Sequence, residues 1–334
     1  MFSDIYFRLL LEVMGKDPNI KKIPSLRLDG EKNSNLNSVV NFHRLIKSIY
    51  EQCPDSSIGL EFGRQIKPIN ACDFSRLIAT SKDVSSGLDA LVDFYPRLNL
   101  KPFPLLYKNE KHISIALCFP YEKAIGMAHK RFCSETFYSF CLNLLCDVVI
   151  EPINAVKLYL DFPKPSYASE YQALFKCEVE FDAPLSMVVF DRSIENLPLT
   201  SANECLHEVY LTKAHEAWQQ VKRQQNFQYR TLSQLMRDFP ASFNGQYLAD
   251  ALNISPRGLQ KRLSAEGCSY SLMCQVVRKE LVKVCLYQRH YELEDVAACL
   301  GFQSQGSFRK FFKAHFGLKA QLPDLTKLER LEQA

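Results

Sequence analysis

Residues 249–263 read ADALNISPRGLQKRL, and residues 297–312 read AACLGFQSQGSFRKFF. In the first stretch Ala249, Leu252, Ile254, Leu259 and Leu263 are the apolar positions, and in the second Ala297, Leu300, Phe302, Phe308 and Phe312. The spacings agree, except that one additional residue precedes Phe308. Each pattern describes a first helix with a small alanine where two helices approach, a short turn, and a second helix anchored by two apolar residues one turn apart. That is a helix-turn-helix, and the chain carries it twice. Ser255-Pro256 provides a capping hydroxyl followed by proline at the first helical position, and Ser304 can cap the second copy. Gly301 lies where the second copy turns and can take a positive φ without steric cost.

With Leu259 and Leu263 buried, Arg257, Gln260 and Lys261 are left on the outer face of the first recognition helix. The second presents Gln305, Gly306, Arg309, Lys310 and Lys313. Arg and Lys suit guanine edges and phosphates, and Gln suits adenine. A solvated charged face would account for one such helix equally well. Two in register, joined by a helix over residues 271–288 with Met273, Val276, Val277, Leu281, Val284 and Cys285 as its apolar side, point instead to double-stranded DNA.

The charge distribution agrees with this assignment. The 334 residues carry a net charge of only +4, which alone would argue against a polyanionic partner. Residues 228–322, however, hold 13 Lys and Arg against 7 Asp and Glu, a surplus of six, so the remainder falls two short of neutrality. A basic back joined to a near-neutral front is expected when one domain touches nucleic acid and the other does not. The length suits two domains, and 47% hydrophobic with 23% charged residues excludes disordered, collagen-like and supercharged classes.

Twelve cysteines are dispersed with no CxxC pair and no zinc-site spacing. Several, including Cys141 and Cys146, lie on apolar stretches and read as buried thiols of a reduced, cytoplasmic protein. No metal or cofactor is expected. The apolar N-terminus is interrupted by Asp4, Arg8 and Glu12 and reads as an amphipathic helix with Phe2, Ile5, Tyr6, Leu9, Leu10 and Val13 on one side, so it is not a signal peptide. Residues 136–150 are apolar but contain Asn143 and Asp147 and are too short to span a membrane.

The front is expected to be α+β. Helical spacing covers 41–50 and 86–95. Alternation over Ile113, Ile115, Leu117 and Phe119, and over Val156, Leu158, Leu160 and Phe162, predicts two strands. Residues 108–111 form a polar turn before the first strand, a helix over 133–149 separates the two, a helix follows over 169–175, and 187–190 is a further strand. Residues 203–230 read as a helical connector whose apolar side is Leu206, Val209, Tyr210, Ala214 and Trp218. The expected organisation is a sensing and dimerising α+β domain over 1–202, a connector over 203–229, an all-α double helix-turn-helix domain with a linker helix over 230–322, and a tail over 323–334.

Residues 245–318 resemble the DNA-binding domain of the AraC/XylS family of bacterial transcription regulators. The resemblance is carried by Leu248-Ala249, Ser255-Pro256-x2-Leu259-Gln260-Lys261-Arg262-Leu263, Glu266-Gly267, Val277-Arg278 and Leu300-Gly301-Phe302-x5-Phe308-x3-Phe312-Lys313. It implies that both recognition helices enter successive major-groove faces about one helical turn (~34 Å) apart. Arg257, Gln260, Lys261, Gln305, Arg309 and Lys310 would then do the reading. After Phe316-Gly317 the chain departs from the family, with Leu318-Lys319-Ala320 where a proline and Tyr-Arg would follow; this leaves both recognition helices untouched.

The front, over 24–199, is similar to the arabinose-binding-type N-terminal domain of a subset of that family. The similarity rests on Ser57-x-Gly59-Leu60-x2-Gly63-Arg64, the helix over 87–95, Phe162-Pro163-x-Pro165, Tyr171-x2-Leu174-Phe175-x-Cys177 with Phe181, and Leu197-Pro198-Leu199. It implies effector sensing and dimerisation. With promoter DNA, RNA polymerase, a small-molecule effector and a second copy as partners, the reading is a transcription regulator, with activation the expected sense. The alternatives are a catalytic front domain, for which no GxSxG, HExxH, P-loop or dinucleotide motif occurs, and a front that only dimerises. His43 reads as structural, and His129-Lys130-Arg131 as a solvated helix end that could also hold an anion. No catalytic residue is assigned.

Overall fold

The computed structural model describes residues 2–17, 20, 39–67, 73–98, 102–120, 126–287 and 293–316. The N-terminal half is a helical layer on a five-stranded sheet. Helices α1 (Phe2–Lys16), α2 (Val39–Gln52), α3 (Ile58–Gln65), α4 (Asp73–Ala79) and α5 (Val84–Phe94) precede strands β1 (Phe103–Lys108) and β2 (His112–Cys118). Then come α6 (Met127–Val148), β3 (Ala155–Tyr159), α7 (Ala168–Phe175), β4 (Glu178–Glu180) and β5 (Ser186–Asp191). The strand order is β1-β2-β5-β3-β4, antiparallel except for the β3–β4 pair.

The polar turn expected at 108–111 closes the β1–β2 hairpin. Its Asn109 carboxamide oxygen accepts from the backbone N–H of Lys111 at 2.9 Å and of His112 at 2.8 Å, a side-chain mimic of a turn. The strand leading into that turn, β1, was not expected, nor was the three-residue β4. Alternation in β2 is real, but both of its faces are buried. Ile113, Ile115 and Leu117 join the N-terminal core, whereas Ala116 and Cys118 join a second core.

Val156, expected on the apolar face of its strand, is instead 47% exposed. The register slips between Ala155 and Lys157, and a one-residue bulge turns the intervening side chain outward. Helix α6 starts at Met127, six residues before the expected 133. It crosses α3 closely enough that a Cβ on Gly59 would sit 2.4 Å from Glu135 Oε2, and one on Gly63 would sit 2.4 Å from Thr136 O. The two glycines, four residues apart on one face of α3, let the backbones approach.

His129-Lys130-Arg131 is not a solvated helix end. His129 and Lys130 are buried, and Lys130 Nζ pairs with Asp161 Oδ2 at 2.8 Å. Arg131 Nε pairs with Glu135 Oε1 at 3.0 Å, and Glu135 also accepts from the hydroxyls of Tyr50, Tyr167 and Tyr171. Burial raises the Glu135 carboxyl above its ordinary value, while Arg131 and the tyrosine hydroxyls pull the other way. A polar cluster this deep persists because its members satisfy one another. Cys146 and Cys205 are exposed, contrary to the buried-thiol expectation, whereas Cys118, Cys141, Cys274 and Cys285 are buried. The described cysteines are free.

Helix α8 (Glu204–Gln224) leads out of the N-terminal half, and α9 (Phe227–Arg237) opens the C-terminal half. Of the expected apolar side of α8, Ala214 is buried but Leu206 and Val209 stand 46% and 48% exposed. Helices α10 (Gly245–Ala251), α11 (Pro256–Ala265), α12 (Tyr270–Tyr287), α13 (Leu293–Cys299) and α14 (Gln305–Phe316) complete the chain that is described. Phe103, Leu105, Ala116, Cys118, Met187 and Val189, on the far face of the sheet, pack into one continuous core with α9, α12 and the helix-turn-helix units. The Phe119 N–H donates to Glu280 Oε2 on α12 at 3.0 Å. The Tyr229 hydroxyl on α9 donates to Pro96 O at 2.9 Å, and its ring lies 5.5 Å from that of Phe103.

Candidate nucleic-acid interface

The two helix-turn-helix units are α10–α11 and α13–α14. Their turns are built alike. In the first, the Asn253 N–H donates to Asp250 O at 2.9 Å and the Ile254 N–H to Ala249 O at 3.0 Å; in the second, Gly301 donates to Ala298 O at 2.9 Å and Phe302 to Ala297 O at 2.9 Å. Asn253 and Gly301 both have positive φ, +54° and +67°. This is the left-handed residue that closes a helix C-terminus. The additional residue of the second copy enters after this shared turn and before the cap.

Caps then start the second helix of each unit. Ser255 Oγ accepts from the Gly258 N–H at 3.1 Å, with Pro256 at the first helical position. Ser304 Oγ accepts from the Ser307 N–H at 3.2 Å. Each cap satisfies a donor that the helix itself leaves unpaired. Leu259 and Leu263 hold α11 to the core, and Phe308, Phe312 and Phe316 hold α14.

Arg257, Gln260, Lys261, Arg309 and Lys310 are exposed, and Gln305 is half-buried. On each of these helices they occupy the side away from its buried anchors, and the sheet packs against α9 and α12 elsewhere on the domain. Docking to the N-terminal half therefore leaves these side chains uncovered.

Three residues outside this set support the helix-turn-helix units. The Arg278 side chain, on α12, donates from Nε to Leu300 O at 2.9 Å and from Nη2 to Gly301 O at 3.4 Å. Its guanidinium lies 4.3 Å from the Phe243 ring centroid and 4.6 Å from that of Phe302. It joins the linker helix to the second turn while stacking on a residue that precedes the first unit. Glu266, at the end of α11, accepts from the N–H groups of Phe227 at 2.8 Å and Gln228 at 2.7 Å, capping α9 beside Asn226. Phe243 fills the space in front of Gly301, where a Cβ would come within 3.0 Å of its ring. Arg278 and Glu266 stand in the sequence pattern without any local sign of their partners, because those partners lie 22 and 39 residues away.

Two helix-turn-helix units in one core, held by a shared helix and presenting basic and amide side chains on their free faces, define a DNA-binding protein of the double helix-turn-helix class. Residues 31–199 match the model of the arabinose-binding domain of AraC transcription regulators, N-terminal, and residues 248–321 match a helix-turn-helix domain model. The chain belongs to the AraC family of transcription regulators. It is 22% identical over 283 residues to the ornithine utilization regulator of Pseudomonas aeruginosa, covering 84% of this chain and 82% of that one. It is 24% identical over 219 residues to the HTH-type transcriptional regulator VqsM of the same organism, covering 63% and 64%. The solved transcriptional regulator CdpR, also from Pseudomonas aeruginosa, aligns over 98% of both chains at 16% identity with a TM-score of 0.49.

The matched families and relatives are transcription regulators, not enzymes. Among the described residues no helix is long and apolar enough to cross a membrane. The departure at Ala320 and the tail lie outside the described residues.

Proposed function

We propose that this chain is a cytoplasmic, sequence-specific regulator that reads two successive major-groove faces with α11 and α14. Arg257, Gln260, Lys261, Gln305, Arg309 and Lys310 supply the contacts, and activation through RNA polymerase is the sense of regulation. The observation that carries this reading is the exposure of five of those six side chains on two helices whose buried anchors belong to one core. The proposed organisation is a sensing domain over 1–202, a connector over 203–229, a reader over 230–322 and a tail over 323–334. The break between α8 and α9 falls inside that connector.

Control of the reader by the front is supported by the continuous core between the sheet and α9 and α12. A ligand or a second copy that alters one half has a packed path to the other. The match to an effector-binding domain supports small-molecule control.

The test uses a DNA fragment selected from a random-sequence pool by the full chain. Arg257→Ala and Lys310→Ala should each weaken binding, at about 1–3 kcal/mol for a lost base contact, and relax the preference at the base pairs read. If neither changes affinity at fixed salt, the assigned face is wrong.

A further inference from the structure

A cavity of about 420 Å³ lies where the two halves meet. Its N-terminal wall comes from α5 and β1, including Val92, Phe103 and Leu105, and the connector adds Trp218. Its C-terminal wall comes from the reader, including Arg230, Met236 and Leu281. The size suits a small organic molecule, and a mostly apolar lining with a few polar groups is what such ligands require.

One of those polar groups is out of balance. Arg230 is half-buried on α9, its Nε is shielded from solvent with no hydrogen-bond partner, and its guanidinium otherwise rests 5.9 Å from the Phe227 ring centroid. The other charged lining groups have partners: Asp89 lies 4.0 Å from Lys108, and Arg237 pairs with Asp238 at 2.9 Å. Asp93 is also engaged. A guanidinium N–H shielded from water without an acceptor is costly. A planar fork of donors facing an apolar space matches a carboxylate carried on an apolar body.

We propose that this interdomain cavity is the effector site, and that it takes a small organic carboxylate whose anionic group pairs with Arg230 while its apolar part lies between Trp218, Phe103 and Leu281. Because the walls belong to both halves, bound ligand favours the arrangement in which the sheet is docked on the reader. A ligand shifts such an equilibrium only by its differential affinity, and a two-walled site supplies that difference. The inference rests on the reading that the front domain controls the reader, but its test involves no DNA. Failure of the DNA-binding reading would therefore leave the ligand result standing.

Trp218 is the chain's single tryptophan, so its fluorescence reports on this cavity alone. The full chain is titrated with 3-phenylpropanoate, 4-phenylbutanoate and decanoate, each beside its neutral carboxamide. At least one acid should change Trp218 emission saturably and bind about tenfold or more tightly than its amide, the margin of a charge-assisted hydrogen bond. Arg230→Met should abolish that preference and raise the thermal midpoint of the ligand-free chain, since it removes a shielded donor that has no acceptor. If no acid gives a saturable change, if acid and amide bind alike, or if Arg230→Met lowers the thermal midpoint, the proposal is overturned.

Discussion

Arg278 Nε lies 2.9 Å from Leu300 O, so the linker helix is fastened to the turn of the second helix-turn-helix by a charged donor at a helix C-terminus. The carbonyls there have no partner within their own helix, and a cation both satisfies them and complements the helix dipole. Phe243 and Phe302 flank the guanidinium, so the same side chain ties together the segment before α10 and the turn before α14.

Arg278→Ala should lower the stability of the reader by about 2 kcal/mol, the scale of a partly buried hydrogen bond to a charged group. Affinity for DNA bearing both half-sites should fall by a larger factor than affinity for a single half-site. Denaturant melts and paired binding titrations measure the two effects. Arg278→Lys keeps the charge but loses the stacked fork, and should recover only part of the stability.

Glu266→Gln retains the size of the side chain and removes the carboxylate that caps α9. A loss of about 1 kcal/mol is expected, read as a shift in the denaturation midpoint. High salt should shrink the difference from the parent protein, because part of it is the interaction of a charge with a helix end.

Gly301 and Gly306 separate two effects of glycine in the second unit. Gly301 has φ +67° and Phe243 against it, so Gly301→Ala should destabilise through both backbone strain and a contact that must give way. Gly306 lies in α14 with only Ser304 Oγ near, at 3.9 Å. Gly306→Ala should leave stability unchanged or raise it by about 0.5–1 kcal/mol.

Gly63→Ala should cost about 1–3 kcal/mol, because the nearest obstacle to its Cβ is the backbone oxygen of Thr136, which cannot rotate away. Circular dichroism melts of the full chain will show it as a lowered first transition if the halves unfold separately, or as a lowered single transition if the shared core couples them.

His315, in the last turn of α14, has its pKa lowered by burial and by Lys279. Its folded value lies below the unfolded one, so the unfolded chain binds the proton more readily. The related stability is fully present above the unfolded value near 6.5 and is lost as pH falls through the folded value. Thermal midpoints measured from pH 7.5 to 5 should fall more steeply for the parent protein than for His315→Gln.

Both helix-turn-helix units were legible because every cue for them is local: apolar spacing, a capping serine, proline after it, and a glycine at the second turn. Asn253, which takes the equivalent left-handed conformation in the first turn, was a quieter sign of the same geometry. The front was harder to read. Ile113, Ile115 and Leu117 announce a strand through alternation, yet Ala116 and Cys118 between them are equally buried, since a second layer covers the other face. Strand β1 shows no alternation because Phe103 and Leu105 face that second layer while Leu106 packs against the first.

Local pattern in the sequence determined that the chain carries two like helix-turn-helix units and which side chains stand free on the second helix of each, since a helix face follows from residue spacing within a few turns. Only the tertiary structure decided that the sheet and the reader share one core, that Lys130 is an interior ion-pair partner of Asp161 rather than surface charge, and that Arg230 and Phe103 border a common cavity. These relations join residues tens to more than a hundred positions apart. No periodicity records them, because chain folding, not local spacing, brings their side chains together.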